Sequence, residues 1–324
     1  MNGSGEEMIE FTGFEEKHRD GVISLMMRNY ESLGELSPGA VGRWIDPLLS
    51  YRWESDQPVN LPYKHGMVML ADGVVTGFVG CVYSYVEDEG RRLSVCKTTT
   101  VAVDKEFRRF DPGTGKKERA IEAMYRMILD SADIVTGDTP IDKMRVFLRD
   151  VMHFSDYDTK NYKFLTIPCF GRKLRYTFAE KPEDISDEGI RAVYKDHAGY
   201  SLRCVRASGE EGDCCVFYRI IKKKFRKKPF DKLKITFASV LDVTDHDMFG
   251  KYAHEIIWAI QKRERAFLEA DSRYFGSGGP SYPFKYKTYE TYRMCFSGAE
   301  GVDTRRLGGL YSELIMLGDP GESR

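Results

Sequence analysis

The sequence predicts a mixed α/β protein, an open and largely antiparallel sheet flanked by helices, with the same order of elements met twice along the chain. Three observations carry this. Between Gly66 and Val103 three consecutive runs rich in Val, Thr, Tyr and Phe are separated by Asp72-Gly73 and Glu87-Asp88-Glu89-Gly90 turn signals. On either side of them apolar residues recur at helical spacing: Val22, Leu25, Met26, Tyr30 and Leu33 before, and Ile121, Met124, Tyr125, Ile128 and Leu129 after. The second half repeats this order of strands and helices without any residue-level repeat.

Taken in order, Met8 to Gly13 alternates as a strand, and the Val22 to Leu33 pattern is an amphipathic helix. Ser37-Pro38 is a helix start, because serine caps well and proline is tolerated at the first helical position; that helix runs toward Leu49. Gln57 to Lys64 reads as loop. After the three strands comes the helix beyond Gly115, a short strand at Asp133 to Thr136, a helix over Ile141 to Met152 and a strand over Tyr162 to Pro168. The run from Phe170 to Asp184 crosses between halves and can contain a strand. Next come a helix over Ile190 to His197, strands over Cys214 to Lys224 and Leu233 to Leu241, and a long helix on which Phe249, Tyr252, Ala253, Ile256, Ile257 and Ile260 share a face. Strands near Ser272 to Phe275, Tyr289 to Phe296 and Leu310 to Leu317 complete the reading.

A chain of 324 residues exceeds what one ordinary core organises. Two domains are expected, 1–169 and 170–324. Its 49 basic and 50 acidic residues exclude binding to nucleic acid or an anionic membrane through a strong overall field. Hydrophobic residues at 42% suffice for substantial cores, and no stretch approaches the roughly 18 apolar residues of a spanning helix. The acidic opening MNGSGEEMIEF does not resemble a secretory signal, so a cytoplasmic location is expected. Seven scattered cysteines without a CxxC pair read as small apolar residues.

The segment that carries chemistry runs from Lys97 to Lys117, KTTTVAVDKEFRRFDPGTGKK, between a predicted strand and a predicted helix. A glycine-containing loop at a helix start offers free backbone N–H groups and the positive end of the helix dipole, which together suit a pyrophosphate. Gly113 and Gly115 let the backbone approach, and Arg108, Arg109, Lys116 and Lys117 supply positive charge. A P-loop is excluded: PGTGKKE lacks both the first glycine and the hydroxyl residue after the lysine.

The pattern V-x-V-x-x-x-[FY]-R at a strand end, then a glycine loop, then an amphipathic helix, resembles the acetyl-CoA motif of GNAT acyltransferases. The element order from Met8 to Pro168 resembles that family too. The resemblance implies a GNAT-like α/β fold in two tandem copies. It implies that the pantetheine arm of acetyl-CoA or another acyl-CoA pairs with the backbone of Val101, Ala102 and Val103, and that the pyrophosphate is held by Arg108, Arg109, Gly113, Thr114, Gly115, Lys116 and Lys117. Two departures stand out. The loop is longer than the family's usual R-x-x-G-x-G, and Lys97 and Arg149 occupy the positions where the family often has its base and its tyrosine acid. Among the residues at hand, Asp138 at the end of the fifth strand is the first choice for a general base, ahead of Glu87, Asp88 and Glu89. Tyr157 or Tyr162 is the substitute acid. For Asp138, helix capping is the competing reading, and for each tyrosine a structural role.

The second half has no arginine or glycine loop at the matching junction; it has Asp242-Val-Thr-Asp-His-Asp247, which would repel a pyrophosphate. It therefore reads as a GNAT-like domain without its own CoA motif, one that walls the acceptor pocket or dimerises. Asp242, Asp245, His246, Asp247 and His254 fit no standard metal spacing and read as helix capping, so no metal is expected. Lys222 to Lys228, with Phe225 interleaved, is the only strong basic run and reads first as a protected strand edge. Gly276 to Pro283 is a loop. The expected function is acyl transfer from acyl-CoA to an amine of a small metabolite, amino sugar or amino acid. The alternatives are a non-catalytic CoA-binding sensor or scaffold, and an anionic-ligand or nucleic-acid module using the lysine run. The expected partners are the amine and a second copy in a homodimer, with neither a membrane span nor nucleic acid.

Overall fold

The computed structural model describes residues 8–30, 34, 36–53, 61–88, 90–138, 141–171, 173–224, 234–283, 286–298, 301–302 and 307–312. The chain begins with β1 (Ile9–Gly13), α1 (Arg19–Asn29) and α2 (Pro38–Ser50). Helix α2 starts as its sequence demands, with the Ser37 side chain accepting from the Ala40 N–H and Pro38 in the first turn. The antiparallel strands β2 (Gly66–Ala71), β3 (Val74–Asp88) and β4 (Arg91–Val103) follow, then a two-strand hairpin, β5 (Arg109–Phe110) with β6 (Glu118–Arg119). Next come α3 (Ala120–Leu129), β7 (Ile134–Asp138), α4 (Asp142–Asp150) and β8 (Ser155–Phe164). The second half contains β9 (Arg175–Ala179), α5 (Glu188–Asp196), β10 (Arg203–Gly209), β11 (Gly212–Lys224), β12 (Lys234–Val243), α6 (His246–Lys251), α7 (Ala253–Glu264), β13 (Phe267–Asp271) and β14 (Tyr286–Gly298).

Twelve of these strands form one sheet in the order β1-β2-β3-β4-β7-β14-β8-β13-β12-β11-β10-β9. The order is symmetric about its centre: β1 to β4 and β7 mirror β9 to β13, and the two halves meet at β14 and β8. Only β4–β7 and β12–β13 are parallel; the other pairs are antiparallel. At the centre the halves exchange strands. β14, from the second half, lies against β7 of the first, and β8, from the first, lies against β13 of the second.

Helices α1, α2 and α5 bury one common face. Val22, Leu25, Val41, Ile45 and Leu48 join Tyr194, Phe217 and Leu241 in a single cluster that spans both halves. Burying such aliphatic and aromatic side chains contributes about 1.5–3 kcal/mol each, which is ample to hold the halves together. On the opposite face the cores are separate. Met124, Tyr125 and Ile128 of α3 pack with Leu148 of α4, whereas Phe249, Ile256, Ile257 and Ile260 pack under β12 and β13.

Several boundaries differ from the sequence reading. The last strand of the first half is Ser155–Phe164 rather than Tyr162 to Pro168; its charged, alternating sequence hides a strand paired on both sides. Strand β10 was not expected, being short and polar, although Cys204, Val205 and Ala207 are buried. The long helix breaks at Tyr252 because the Gly276 to Pro283 loop splices into its ladder: Ser281 N–H donates to the Gly250 carbonyl, and the His254 N–H donates to the Ser281 carbonyl. Ser272 to Tyr274 is a 3-10 turn after β13, opened by the Asp271 carboxylate accepting from the Arg273 N–H. Leu310 to Ser312 is turn rather than strand, and residues 313–317 lie outside the described ones.

Candidate active site

Strands β4 and β7 run parallel from Val95–Ile134 to Thr98–Gly137, and the pairing stops there. Just beyond, β4 bulges: its register with β3 shifts between Thr99 and Val101, and Thr100 sits at φ 49°. A β-branched residue in the left-handed region is strained, and such strain persists only where packing imposes it. The bulge turns Val101, Ala102 and Val103 away from β7, so that on this side they have no strand partner among the described residues. The Val101 carbonyl takes a hydrogen bond from Tyr30 Oη at 2.5 Å. At the foot of the gap Tyr125 Oη donates to Thr98 Oγ1, which in turn donates to the Thr136 carbonyl. Val101 to Val103 thus end β4 with no strand partner on the β7 side among the described residues, a geometry that suits an extended polar chain.

The glycine loop lies elsewhere than its pattern suggests. Gly113, Thr114 and Gly115 occupy the exposed tip of the β5–β6 hairpin, and β6 separates them from the first turn of α3. Their three N–H groups converge on one acceptor, Oδ1 of Asp111, at 2.9–3.0 Å. The two extra residues account for this, because they let the chain form a hairpin rather than run straight into the helix, and Asp111 stands where an anion would. Lys116, Lys117, Arg108 and Arg109 are exposed around the hairpin. Helix α3 begins at Ala120, whose N–H donates to the Arg108 carbonyl, and its N-cap is Arg119, with no side-chain cap. A basic residue at an uncapped helix N-terminus opposes the helix dipole, and an anion there relieves the conflict.

Asp138 is the last residue of β7, with its backbone paired to Met294 of β14. Tyr157 of β8 pairs with the same Met294 from the other side, two strand spacings or about 10 Å away. Tyr157 is half-buried against the cluster of Leu93, Val95, Ile134 and Leu307. The other candidates disperse. Tyr162 packs in the separate core of the second half. Asp88 is buried beside Arg91 in the hairpin turn, Glu87 is exposed, and Glu89 lies outside the described residues. Arg149 points outward to Asp150 at 2.7 Å, and that hydrogen bond holds the Asp150 carboxyl below its usual range.

Lys97 is 4% exposed, and its Nζ donates to the carbonyls of Gly308 and, at 3.3 Å, Leu310. These belong to a strap, Leu307 to Ser312, that crosses the molecule between the halves. Arg273 Nη1 holds the Leu307 carbonyl at 2.8 Å, and the Gly309 N–H donates to the Leu241 carbonyl at 2.7 Å and to Tyr274 Oη at 2.9 Å. Tyr311 stacks edge-on against Trp53 and His197 and donates from its hydroxyl to Asp196. Burial lowers the His197 pKa, which keeps that ring a neutral partner.

Beside the strap lies a cavity of about 360 Å³. Its walls come from the ends of β3 and β4, the first turn of α5, the end of β12 and the strap itself. Lys97 and Asp242 both line it, and Gly308 fits between them: a Cβ on Gly308 would stand 2.5 Å from Asp242 Oδ2. Burial raises the Asp242 pKa, while the Val243 N–H, His246, Arg273 and Lys97 oppose the rise. Neither Asp242 as a cavity wall nor Asp111 as an internal anion stood out in sequence, because each lies in a run that reads as ordinary capping or turn. The proposed capping cluster holds for Asp245, which accepts from the Met248 N–H, whereas His246 and His254 turn to backbone carbonyls. The far end of the lysine run, 225–228, lies outside the described residues.

No known family profile matches the sequence, and no curated protein is similar to it. Solved structures are. A GCN5-related N-acetyltransferase from Anabaena variabilis superposes with a TM-score of 0.55 at 8% identity, over 89% of this chain and 72% of that one. One from Kribbella flavida gives 0.54 at 12%, over 91% and 71%. An Enterococcus faecalis protein described as a probable N-acyltransferase gives 0.52 at 13%, over 89% and 72%. The fold is the GNAT fold. Identities this low speak for the fold alone. No helix among the described residues is long and apolar enough to cross a membrane.

Proposed function

We propose that the chain is an acyl-CoA-dependent N-acyltransferase, acetyl-CoA being the first donor to test, that acylates an amine of a small molecule in the cytoplasm. The observation that carries the reading is the strained Thr100 bulge, which parts β4 from β7 and leaves the Val101 to Val103 edge free for a donor's amide-bearing arm. The donor brings a thioester. The amine nitrogen attacks its carbonyl carbon, the N–C bond forms as the C–S bond breaks, and the proton lost by nitrogen balances the one gained by the departing thiolate. Backbone N–H groups of the parted strand polarise the carbonyl, and holding both reactants in the gap supplies much of the acceleration. Asp138 serves as base and Tyr157 as acid in this reading. Arg108, Arg109, Lys116 and Lys117, with the uncapped start of α3, attract the phosphates, and the N–H groups of Gly113, Thr114 and Gly115 join once Asp111 gives them up. The units 1–169 and 170–324 then divide the labour, the first holding the donor and the second closing the acceptor side, and a homodimer is compatible with this arrangement.

Calorimetric titration with acetyl-CoA, followed by thiol release over an amine panel, tests the reading. Absence of binding at millimolar ligand would sink it. A second reading, a CoA-binding sensor without turnover, is favoured by Lys97 being committed to the strap and Arg149 facing solvent. Binding without thiol release on any amine would select it.

A further inference from the structure

Within the proposed acyltransfer reading, the structure also bears on which amine is accepted. We infer that Asp242, a residue of the second half, receives the ammonium group of the acceptor, and that the acceptor is a small primary amine on an apolar, aryl-bearing body.

The inference rests on the cavity. Two carboxylates, Glu87 and Asp242, and one ammonium, Lys97, line it, and the remaining wall is mainly apolar or aromatic, including Val95, Ile190, Phe217 and Tyr311. Such a pocket matches a ligand with a greasy body and one cationic end; a sugar would leave many hydroxyls unpaired against aliphatic walls. The cavity and the donor gap share strand β4: Lys97 of the cavity wall stands four residues, roughly 13 Å of extended chain, before Val101.

Asp242 is held for the task. Its Oδ1 accepts from the Val243 N–H at 2.8 Å, which fixes the carboxylate, and its Oδ2 accepts no hydrogen bond among the described residues. The basic groups around it are bound elsewhere. Lys97 Nζ donates to the Gly308 and Leu310 carbonyls, Arg273 Nη1 donates to the Leu307 carbonyl, and His246 Nδ1 pairs with the Arg273 carbonyl. Glu87 lies at the exposed mouth, where water screens it. A half-buried carboxylate with one open oxygen gains from a cationic partner, because the Val243 N–H and the neighbouring charges of His246, Arg273 and Lys97 offset only part of the cost of its burial. Burial has raised its pKa, so amine binding weakens as pH falls and the group is neutralised.

The test uses the full chain saturated with CoA, which lacks an acyl group and cannot turn over, titrated calorimetrically with 2-phenylethylamine and with glucosamine. Asp242→Asn retains an oxygen for the Val243 N–H, and a melting curve checks that it folds. The expected result is that phenylethylamine binds the wild type at least tenfold more tightly than Asp242→Asn, while CoA affinity is unchanged and glucosamine binds more weakly throughout. In turnover with acetyl-CoA, KM for phenylethylamine should rise about tenfold with kcat within threefold. Equal phenylethylamine affinity in the two proteins, no phenylethylamine binding to the wild type, or tighter glucosamine binding would overturn the inference. Failure of CoA itself to bind would instead sink the acyltransferase reading, and the amine titration repeated without CoA still decides the role of Asp242.

Discussion

In the first half, β4 leaves β7 after Thr98, and among the described residues the freed edge at Val101 is met by the hydroxyl of Tyr30. In the second half, β12 leaves β13 after Ser239, and the matching bulge at Leu241 is filled by the chain's own strap, with Gly309 donating to its carbonyl. The junctions that follow differ in the same sense. After β4 come six basic residues, Lys105 to Arg119, and a helix start with no side-chain cap; after β12 comes Asp245, which caps α6 at once. One frame therefore yields a strand edge without a strand partner, among the described residues, in one half and a strap-filled edge in the other. What separates them is a handful of residues at the strand-to-helix junction and a strap that only one copy receives.

The largest effect should come from loosening the strap that fills the closed slot. Leu310 is buried in the shared core, and Leu310→Ala should cost about 3 kcal/mol, read as a lowered denaturant midpoint. The same variant should still bind a single CoA per chain, since Asp245 and the absence of a basic loop keep the second slot unsuited to phosphate; a second CoA would break the comparison. On the other side, replacing Arg108 and Arg109 together by alanine should weaken CoA binding about thirtyfold, or about 2 kcal/mol, with the loss shrinking in high salt. A smaller gain is expected for Asp111→Ala, about fivefold tighter CoA binding, because the carboxylate that competes for the Gly113, Thr114 and Gly115 N–H groups is gone. Unchanged affinity would mean that the hairpin tip takes no part.

The smallest effect concerns pH. A carboxyl whose pKa is raised on folding stabilises the fold while protonated, and that contribution is lost as pH rises from its unfolded value through its folded one. Asp242 is such a group. Asp242→Asn should melt about 2 °C higher than the wild type at neutral pH, the gain disappearing below roughly pH 4. A gain that persists at low pH would show packing rather than charge at work.

Much of this was legible in the chain. The Ser37 cap, the three antiparallel strands and the face of α3 follow from local pattern, since each records burial or capping that its own residues impose. The break at Tyr252 was hidden because its cause, Ser281, is distant in sequence. β8 was displaced because a strand paired on both sides can still carry the charged sequence SDYDTKNYKF. In the site, the V-x-V strand end was readable, but the loop was not: two extra residues convert a helix-start loop into a hairpin, and no periodicity marks that Asp111 will fold back on its own N–H groups. Asp242 was read as a capping residue, and its place in the cavity wall was hidden for a third reason. Its role depends on the strap approaching it from the far end of the chain, with Gly308 set between it and Lys97.

The strand exchange at the centre of the sheet has a further consequence for how the molecule is made. β14 must enter between β7 and β8, both synthesised long before it, so each half presents a raw strand edge until the last strand arrives. Contacts so remote along the chain form slowly. A ribosome-bound fragment ending before β14 has its two central edges open at once, and unpaired strand edges of that kind favour aggregation until they are covered.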